Sequence, residues 1–198
     1  MKIILASKNQ DKIREIQKIL KNANVELKTF CDINIPEVEE TGASFVENAI
    51  LKARSASITT GLPAIADDSG IEVKYINSQP GVRSARYSGE NATNESNNKK
   101  LLQELSGIPY EKRSACYRCV IVFMRFPDDP FPVISLGSWE GFIAEHPNGS
   151  NGFGYDPIFY LPNLKKTAAQ LTDIEKNKIS HRGKALKGIE EYFLNKTV

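Results

Sequence analysis

This 198-residue chain has few of the side chains that would point to a disulfide scaffold, a membrane protein or a nucleic-acid binder. Three cysteines, Cys31, Cys116 and Cys119, are too few and odd in number to form a disulfide framework. No stretch approaches the roughly 20 consecutive apolar residues that cross a bilayer. The N-terminus lacks the apolar core and cleavage site of a signal peptide, so the cytoplasm is the default expectation. A formal charge of +2 gives no general electrostatic argument for nucleic acid or for an anionic membrane, so any anion site must come from local placement. Internal repeats, low-complexity tracts and linkers are missing too. What is present, 40% hydrophobic and 25% charged residues, is the composition of a globular protein long enough to bury a sizeable core, and residues 1–198 read as one domain.

The one metal-like spacing is Cys116-Tyr117-Arg118-Cys119. It has no second Cys or His pair nearby and runs on into Val120-Ile121-Val122-Phe123, which makes it a strand rather than half a zinc site.

Strands and helices are mixed along the chain. Lys2-Ile3-Ile4-Leu5-Ala6 is a compact apolar run, and Ile13, Ile16, Ile19 and Leu20 then recur at helical spacing. Val25 to Phe30 reads as a second strand. Ser44 and Glu47 fit a capping box, and Phe45, Ala49, Ile50, Ala53 and Ala56 follow as an apolar stripe, predicting a helix from Ser44 to Thr60. Thr93 caps a helix carrying Leu101, Leu102 and Leu105 that stops at Gly107. Ser114 to Phe126 and Val133 to Leu136 form a long hairpin, Trp139 to Ile143 extend the β region, and a final helix carries Ala185, Leu186, Ile189, Tyr192 and Phe193. An α/β fold with a mixed sheet fits this order best.

Four polar clusters carry the candidate chemistry. Ala64-Ile65-Ala66 is a short apolar run that ends in Asp67-Asp68-Ser69-Gly70. Successive strand side chains diverge, so the expectation is a turn permitted by Gly70, with one carboxylate held by the scaffold and the other available to a divalent cation or a water. The structural alternative is an Asx-turn in which Asp and Ser satisfy loop amides. Pro36 to Gly42 is an acidic loop containing Glu39 and Glu40, and such loops are usually just solvated. Ser7, Lys8, Asn9, Gln10, Asp11 and Lys12 open a helix, where backbone N–H groups, the macrodipole and side-chain donors could hold a phosphate; a capped helix start with solvated lysines is the alternative. Asn48 and Lys52, four apart, share one helix face.

The fourth cluster is the glycine-rich turn from Asn148 to Pro157, which carries Phe153, Gly154, Tyr155 and Asp156 and suits a stacked nucleobase; a surface turn with Phe153 in the core is the alternative. Lys176, His181 and Arg182 lie before the last helix, and His181 is one of two histidines in the chain. Acids, phosphate donors and a flat aromatic turn are together what a nucleoside triphosphate needs. Carboxylates hold Mg²⁺ against phosphate oxygens and an ionised aspartate activates water, so hydrolysis is the simplest reaction they permit. A haloacid-dehalogenase-type phosphatase is disfavoured, because it spaces its two aspartates by one residue and Asp67-Asp68 does not.

These motifs resemble those of the inosine and xanthosine triphosphate pyrophosphatases over nearly the whole chain. The resemblance rests on Ser7-Lys8-Asn9 with Lys12, Glu39-Glu40-Thr41-Gly42, Ser44 to Ala49 with Lys52-Ala53, and Ala66 to Gly70. It continues through Pro80-Gly81-Val82, Ser84 to Gly89, Gly152 to Pro157 and Ser180 to Gly183. It implies a two-lobed α/β fold with a long mixed central sheet flanked by helices, an active-site cleft between lobes, and a homodimer. It also implies Mg²⁺-dependent cleavage of ITP, dITP and XTP to a nucleoside monophosphate and pyrophosphate. By resemblance, Asp68 is the proton acceptor and a metal ligand. Glu40 is favoured over Glu39 as a second metal ligand, and Asp67 supports the metal or orients the turn. Ser69 contacts substrate, and Ser7, Lys8, Asn9, Gln10, Asp11, Lys12 and Lys52 contact phosphate. Phe153, Gly154, Tyr155, Asp156, Lys176, His181 and Arg182 contact the nucleotide and base. Lys8 departs from the family, which often has a smaller residue there. A base site that donates to a 6-oxo group would reject adenine.

Overall fold

The computed structural model describes residues 1–30, 33 and 38–195; Cys31 and the Pro36-Glu37 start of the acidic loop lie outside the described residues. The strands are β1 (Lys2–Leu5), β2 (Glu26–Thr29), β3 (Ala64–Val73), β4 (Gln79–Pro80), β5 (Ser114–Met124), β6 (Val133–Ile143), β7 (Phe159–Leu161) and β8 (Lys166–Thr167). The helices are α1 (Gln10–Ile19), α2 (Phe45–Thr60), α3 (Asn94–Glu104), α4 (Asp173–Ile179) and α5 (His181–Asn195). Among the described residues the strands form one open sheet in the order β2-β1-β3-β5-β6-β7-β8, with β4 on β3. Pairing is parallel where β1 joins β2 and β3, and antiparallel where β7 joins β6 and β8, so the expected α/β fold with a long mixed sheet is what forms.

The chain divides into two compact units. The first comprises Met1–Asp68, Cys119–Gly137 and Arg182–Val198, and the second Ser69–Arg118 and Ser138–His181.

In the first unit, strand alternation sorts the core. Ile3, Leu5 and Ile65 pack with Ile13 and Ile16 of α1 and with Ala185, Leu186 and Ile189 of α5. Ile4, Ala6, Ala64 and Ala66 point to the other face and pack with Ala49, Ala53 and Ala56 of α2. The capping box expected at Ser44 and Glu47 is formed, and the alanine stripe lets α2 lie close on the sheet. In the second unit, Ile71, Val73, Leu101, Leu105, Tyr117, Trp139 and Phe159 are among the side chains of a separate core.

Two expectations need correction. β3 does not turn at Gly70 but runs unbroken from Ala64 to Val73, because the residues after Gly70 continue the apolar alternation with Ile71 and Val73 buried. The cation cluster before the last helix is itself partly helical: Thr172 caps α4 in a box with Glu175, so Lys176 sits on a helix, and α5 begins at His181. Cys116-Tyr117-Arg118-Cys119 is part of β5, as its sequence predicts. Its two cysteines are three apart on a strand, which sends them to opposite faces, and both are free thiols.

Candidate active site

An unbroken β3 gives its two aspartates different neighbours. Asp67 follows the parity of Ile65 and points to the side of α1 and α5, while Asp68 follows Ala66 and points to α2.

On the α1 and α5 side, Asp67 Oδ2 lies 3.1 Å from Lys12 Nζ and 3.1 Å from an Arg182 guanidinium nitrogen. The same guanidinium donates to Glu15 of α1. Burial disfavours the charge on Asp67, but Lys12 and Arg182 overcome it and hold the carboxyl well below the usual range. Asp67 is therefore a permanent anion that fixes two cations. Arg182, only 2% exposed, is oriented by Asp67 and Glu15. Glu15 carried no sequence signal, since it sits among other polar residues of an amphipathic helix.

On the α2 side, Lys52 Nζ donates to Asp68 Oδ1 at 2.9 Å and to Glu40 Oε1 at 2.8 Å. One turn earlier, Asn48 Nδ2 reaches Asp68 Oδ2 at 3.4 Å, and its own carbonyl accepts the Gly42 N–H at 2.8 Å. The i, i+4 pair on α2 thus grips both oxygens of Asp68 and tethers the acidic loop. Gly42 is required by this close approach, because a Cβ there would stand 2.6 Å from Asn48 Oδ1. Of the two loop glutamates, Glu40 is the one drawn to Lys52, while Glu39 is exposed. Burial raises the Asp68 pKa more than Lys52 lowers it, so this carboxyl is more basic than an ordinary aspartate and more so than its neighbour. Burial opposes the charge on Lys52, yet Asp68, Asp67 and Glu40 outweigh it and keep the ammonium protonated.

Two hard oxygen donors converging on one cation match what Mg²⁺ takes from a protein when substrate phosphates and water supply the remainder. Among the described residues, no group of three or more His, Cys, Asp or Glu side chains forms an all-protein metal cage.

The loop opening α1 is built as a cap. Asn9 Oδ1 accepts from the N–H groups of Asp11 and Lys12, at 3.0 and 3.1 Å, and Ser7 Oγ accepts from Asn9 N–H. Asp11 pairs with Arg14, and Lys8 and Gln10 are exposed. Lys12 is the member of this run that reaches Asp67.

The second unit holds the aromatic turn. Asp156 Oδ2 accepts from Lys176 Nζ at 2.6 Å and from Phe153 N–H at 3.0 Å, while Lys176 Nζ also sits 4.7 Å from the Phe153 ring centroid. Gly152, at φ +71°, makes the bend possible; a Cβ there would lie 2.0 Å from Asp156 Oδ2. Asn98 Nδ2 donates to Gly154 O, and the Tyr155 hydroxyl donates to Ser84 O at 2.8 Å, so Tyr155 is a brace within this unit. Ser69, next along β3, is half-buried. His181 stacks on Tyr117 with ring centroids 4.5 Å apart and planes 2° apart. Nothing in a strand's alternation distinguishes Tyr117 and Trp139, which stack on each other in the core of this unit, from aromatics that only fill space.

The chain is 53% identical over 187 residues to the dITP/XTP pyrophosphatase of Thioalkalivibrio sulfidiphilus, covering 94% of this chain and 95% of that one. It is 50% identical over 194 residues to the dITP/XTP pyrophosphatase of Vibrio cholerae, covering 96% and 97%. Among solved structures, a HAM1 protein from Coxiella burnetii superposes with a TM-score of 0.92 at 48% identity, over 98% of this chain and 99% of that one. A nucleoside-triphosphatase / dITP/XTP pyrophosphatase from Mycobacterium abscessus superposes with a TM-score of 0.76 at 45% identity, over 96% and 98%. With full-length relatives at this identity, and with the Ham1 family profile matching residues 3–192, this chain belongs to the Ham1 family.

Proposed function

We propose that the protein hydrolyses the purine triphosphates ITP, dITP and XTP to the nucleoside monophosphate and pyrophosphate, removing them from the nucleotide pool. The observation that carries this reading is Asp68, a buried carboxylate made more basic by its surroundings and gripped through both oxygens by Asn48 and Lys52. Relatives named dITP/XTP pyrophosphatase supply the substrate class.

In the proposed reaction, water attacks phosphorus at the α–β phosphoanhydride. Asp68 takes the proton, a new P–O bond forms to the water oxygen, and the bridging P–O bond breaks with its electron pair leaving on pyrophosphate. Lys52 and Lys12 donate to phosphate oxygens as negative charge develops there. Glu40 and Asp68 are the residues that would hold Mg²⁺, and Mg²⁺ when bound would neutralise phosphate charge and acidify a water. Glu39 is a weaker candidate for that role, and Asp67 supports the site as the counter-ion of Lys12. Ser7 to Lys12 and Lys52 are assigned to the phosphates, and Ser69 to a further contact with substrate. Phe153 to Asp156, Lys176, His181 and Arg182 are assigned to the nucleotide and base. The reading includes a cytoplasmic homodimer with no nucleic-acid or membrane partner. Among the described residues, no helix is long and apolar enough to cross a membrane.

The test is a panel of ITP, dITP, XTP, ATP and GTP with separate pyrophosphate and orthophosphate readouts, each with Mg²⁺ and with chelator. Pyrophosphate from the first three, dependent on Mg²⁺, is the expected result. Stable ITP after long incubation would instead favour a nucleotide sensor, and orthophosphate alone would sink the reading.

A further inference from the structure

Tyr117 lies on β5, outside every motif that pointed to the site, yet it touches three of the residues assigned to the base. Its hydroxyl donates to Asp156 Oδ1 at 3.3 Å and accepts the Tyr155 N–H at 3.1 Å. Its ring lies flat on His181 and meets Phe159 edge-on, with centroids 4.7 Å apart. The opposite oxygen of Asp156 takes Lys176 and the Phe153 N–H, so the position of this carboxylate sets both the Lys176 ammonium and the backbone that carries the Phe153 ring. One side chain therefore fixes the acid of the turn by a hydrogen bond and the imidazole at the start of α5 by stacking.

We infer that Tyr117 is a positioning residue for base recognition, linking Asp156 and His181 into one rigid wall; this rests on the assignment of the Phe153 turn to the base. Burial and the nearby Asp156 push its phenol well above the usual tyrosine range, so the hydroxyl stays a donor at all working pH values. The role divides between hydroxyl and ring. Tyr117→Phe removes the bonds to Asp156 and to the Tyr155 N–H but keeps the stack on His181, whereas Tyr117→Leu removes the stack as well.

The experiment compares wild type, Tyr117→Phe and Tyr117→Leu in three readouts: steady-state kinetics on dITP, inhibition by pyrophosphate, and proton NMR of the histidines. The chain has two histidines, so the His181 ring signals are separable from those of His146. Tyr117→Phe is expected to raise KM for dITP about tenfold with kcat within about twofold, as loss of binding shared by ground and transition states requires. Pyrophosphate carries no base, and its inhibition constant should not move. The His181 ring signals should stay where they are in Tyr117→Phe and shift downfield in Tyr117→Leu, whose KM rises further. A folded Tyr117→Phe variant with unchanged KM would overturn the inference, as would an equal loss of pyrophosphate inhibition, which would mark general damage. Failure of the wild type itself to release pyrophosphate would instead overturn the proposed function on which the inference stands.

Discussion

Replacing Asp67 by Asn tests the division of labour between the two aspartates. The Asp67 side chain is fully enclosed, and its Oδ2 lies 3.1 Å from both Lys12 and Arg182. Asparagine keeps the shape and one acceptor oxygen but removes the charge, leaving Lys12 without its counter-ion and Arg182 with Glu15 alone. Breaking a buried ion pair by deleting one partner costs about 3–5 kcal/mol. The cost should fall at the low end, about 3 kcal/mol, because Lys12 is 17% exposed and can regain water and because Arg182 keeps Glu15. The pH dependence has a definite sign. The folded carboxyl titrates below its ordinary value of 3.8, so as pH falls the unfolded chain takes up the proton first. The stabilisation is thus complete above that value and shrinks below it by about 1.4 kcal/mol per pH unit. Urea titrations of wild type and Asp67→Asn at pH 7 and pH 3 measure both quantities. The gap should be about 3 kcal/mol at pH 7 and about 1 kcal/mol smaller at pH 3. A gap below about 1 kcal/mol at pH 7, the size of an exposed pair, or one identical at the two pH values, would refute the assignment of Asp67 as a buried counter-ion.

Two further substitutions separate chemistry from architecture. Asp68→Asn should leave the melting temperature nearly unchanged while lowering kcat for dITP by about 10²–10⁴, the contribution of a positioned general base; near-normal turnover would move that role elsewhere. Gly152→Ala places a methyl 2.0 Å from Asp156 Oδ2 at a left-handed backbone angle, and should cost about 2 kcal/mol in a thermal or urea melt and raise KM for dITP. An unchanged KM in that variant would detach the turn from base binding.

Much of the site was legible as residue types because its parts are local. The Ser44–Glu47 box, the start of α1 at Ser7 to Lys12 and the glycine-rich bend at Gly152 each depend on hydrogen bonds or backbone angles set within a few residues, and the structure has all three. The pairing of Asn48 with Lys52 on one helix face followed from periodicity alone. The turn expected at Gly70 does not form, because glycine permits a bend without requiring one, and the buried Ile71 and Val73 keep β3 in the sheet.

The sequence by itself determined that two adjacent carboxylates end an apolar run, and strand geometry then demands that they part. Which helix meets which aspartate was decided only by tertiary structure, since α1 and α5 cover one face of β3 and α2 covers the other. That choice makes Asp67 an anion locked between Lys12 and Arg182, and leaves Asp68, beside Lys52 and Asn48, the more basic carboxylate. Tyr117 belongs to the same class of fact. Its distance along the chain from Asp156 and His181 hides a contact that exists because β5 carries it to them, and alternation in sequence states which face a side chain takes but not what lies there.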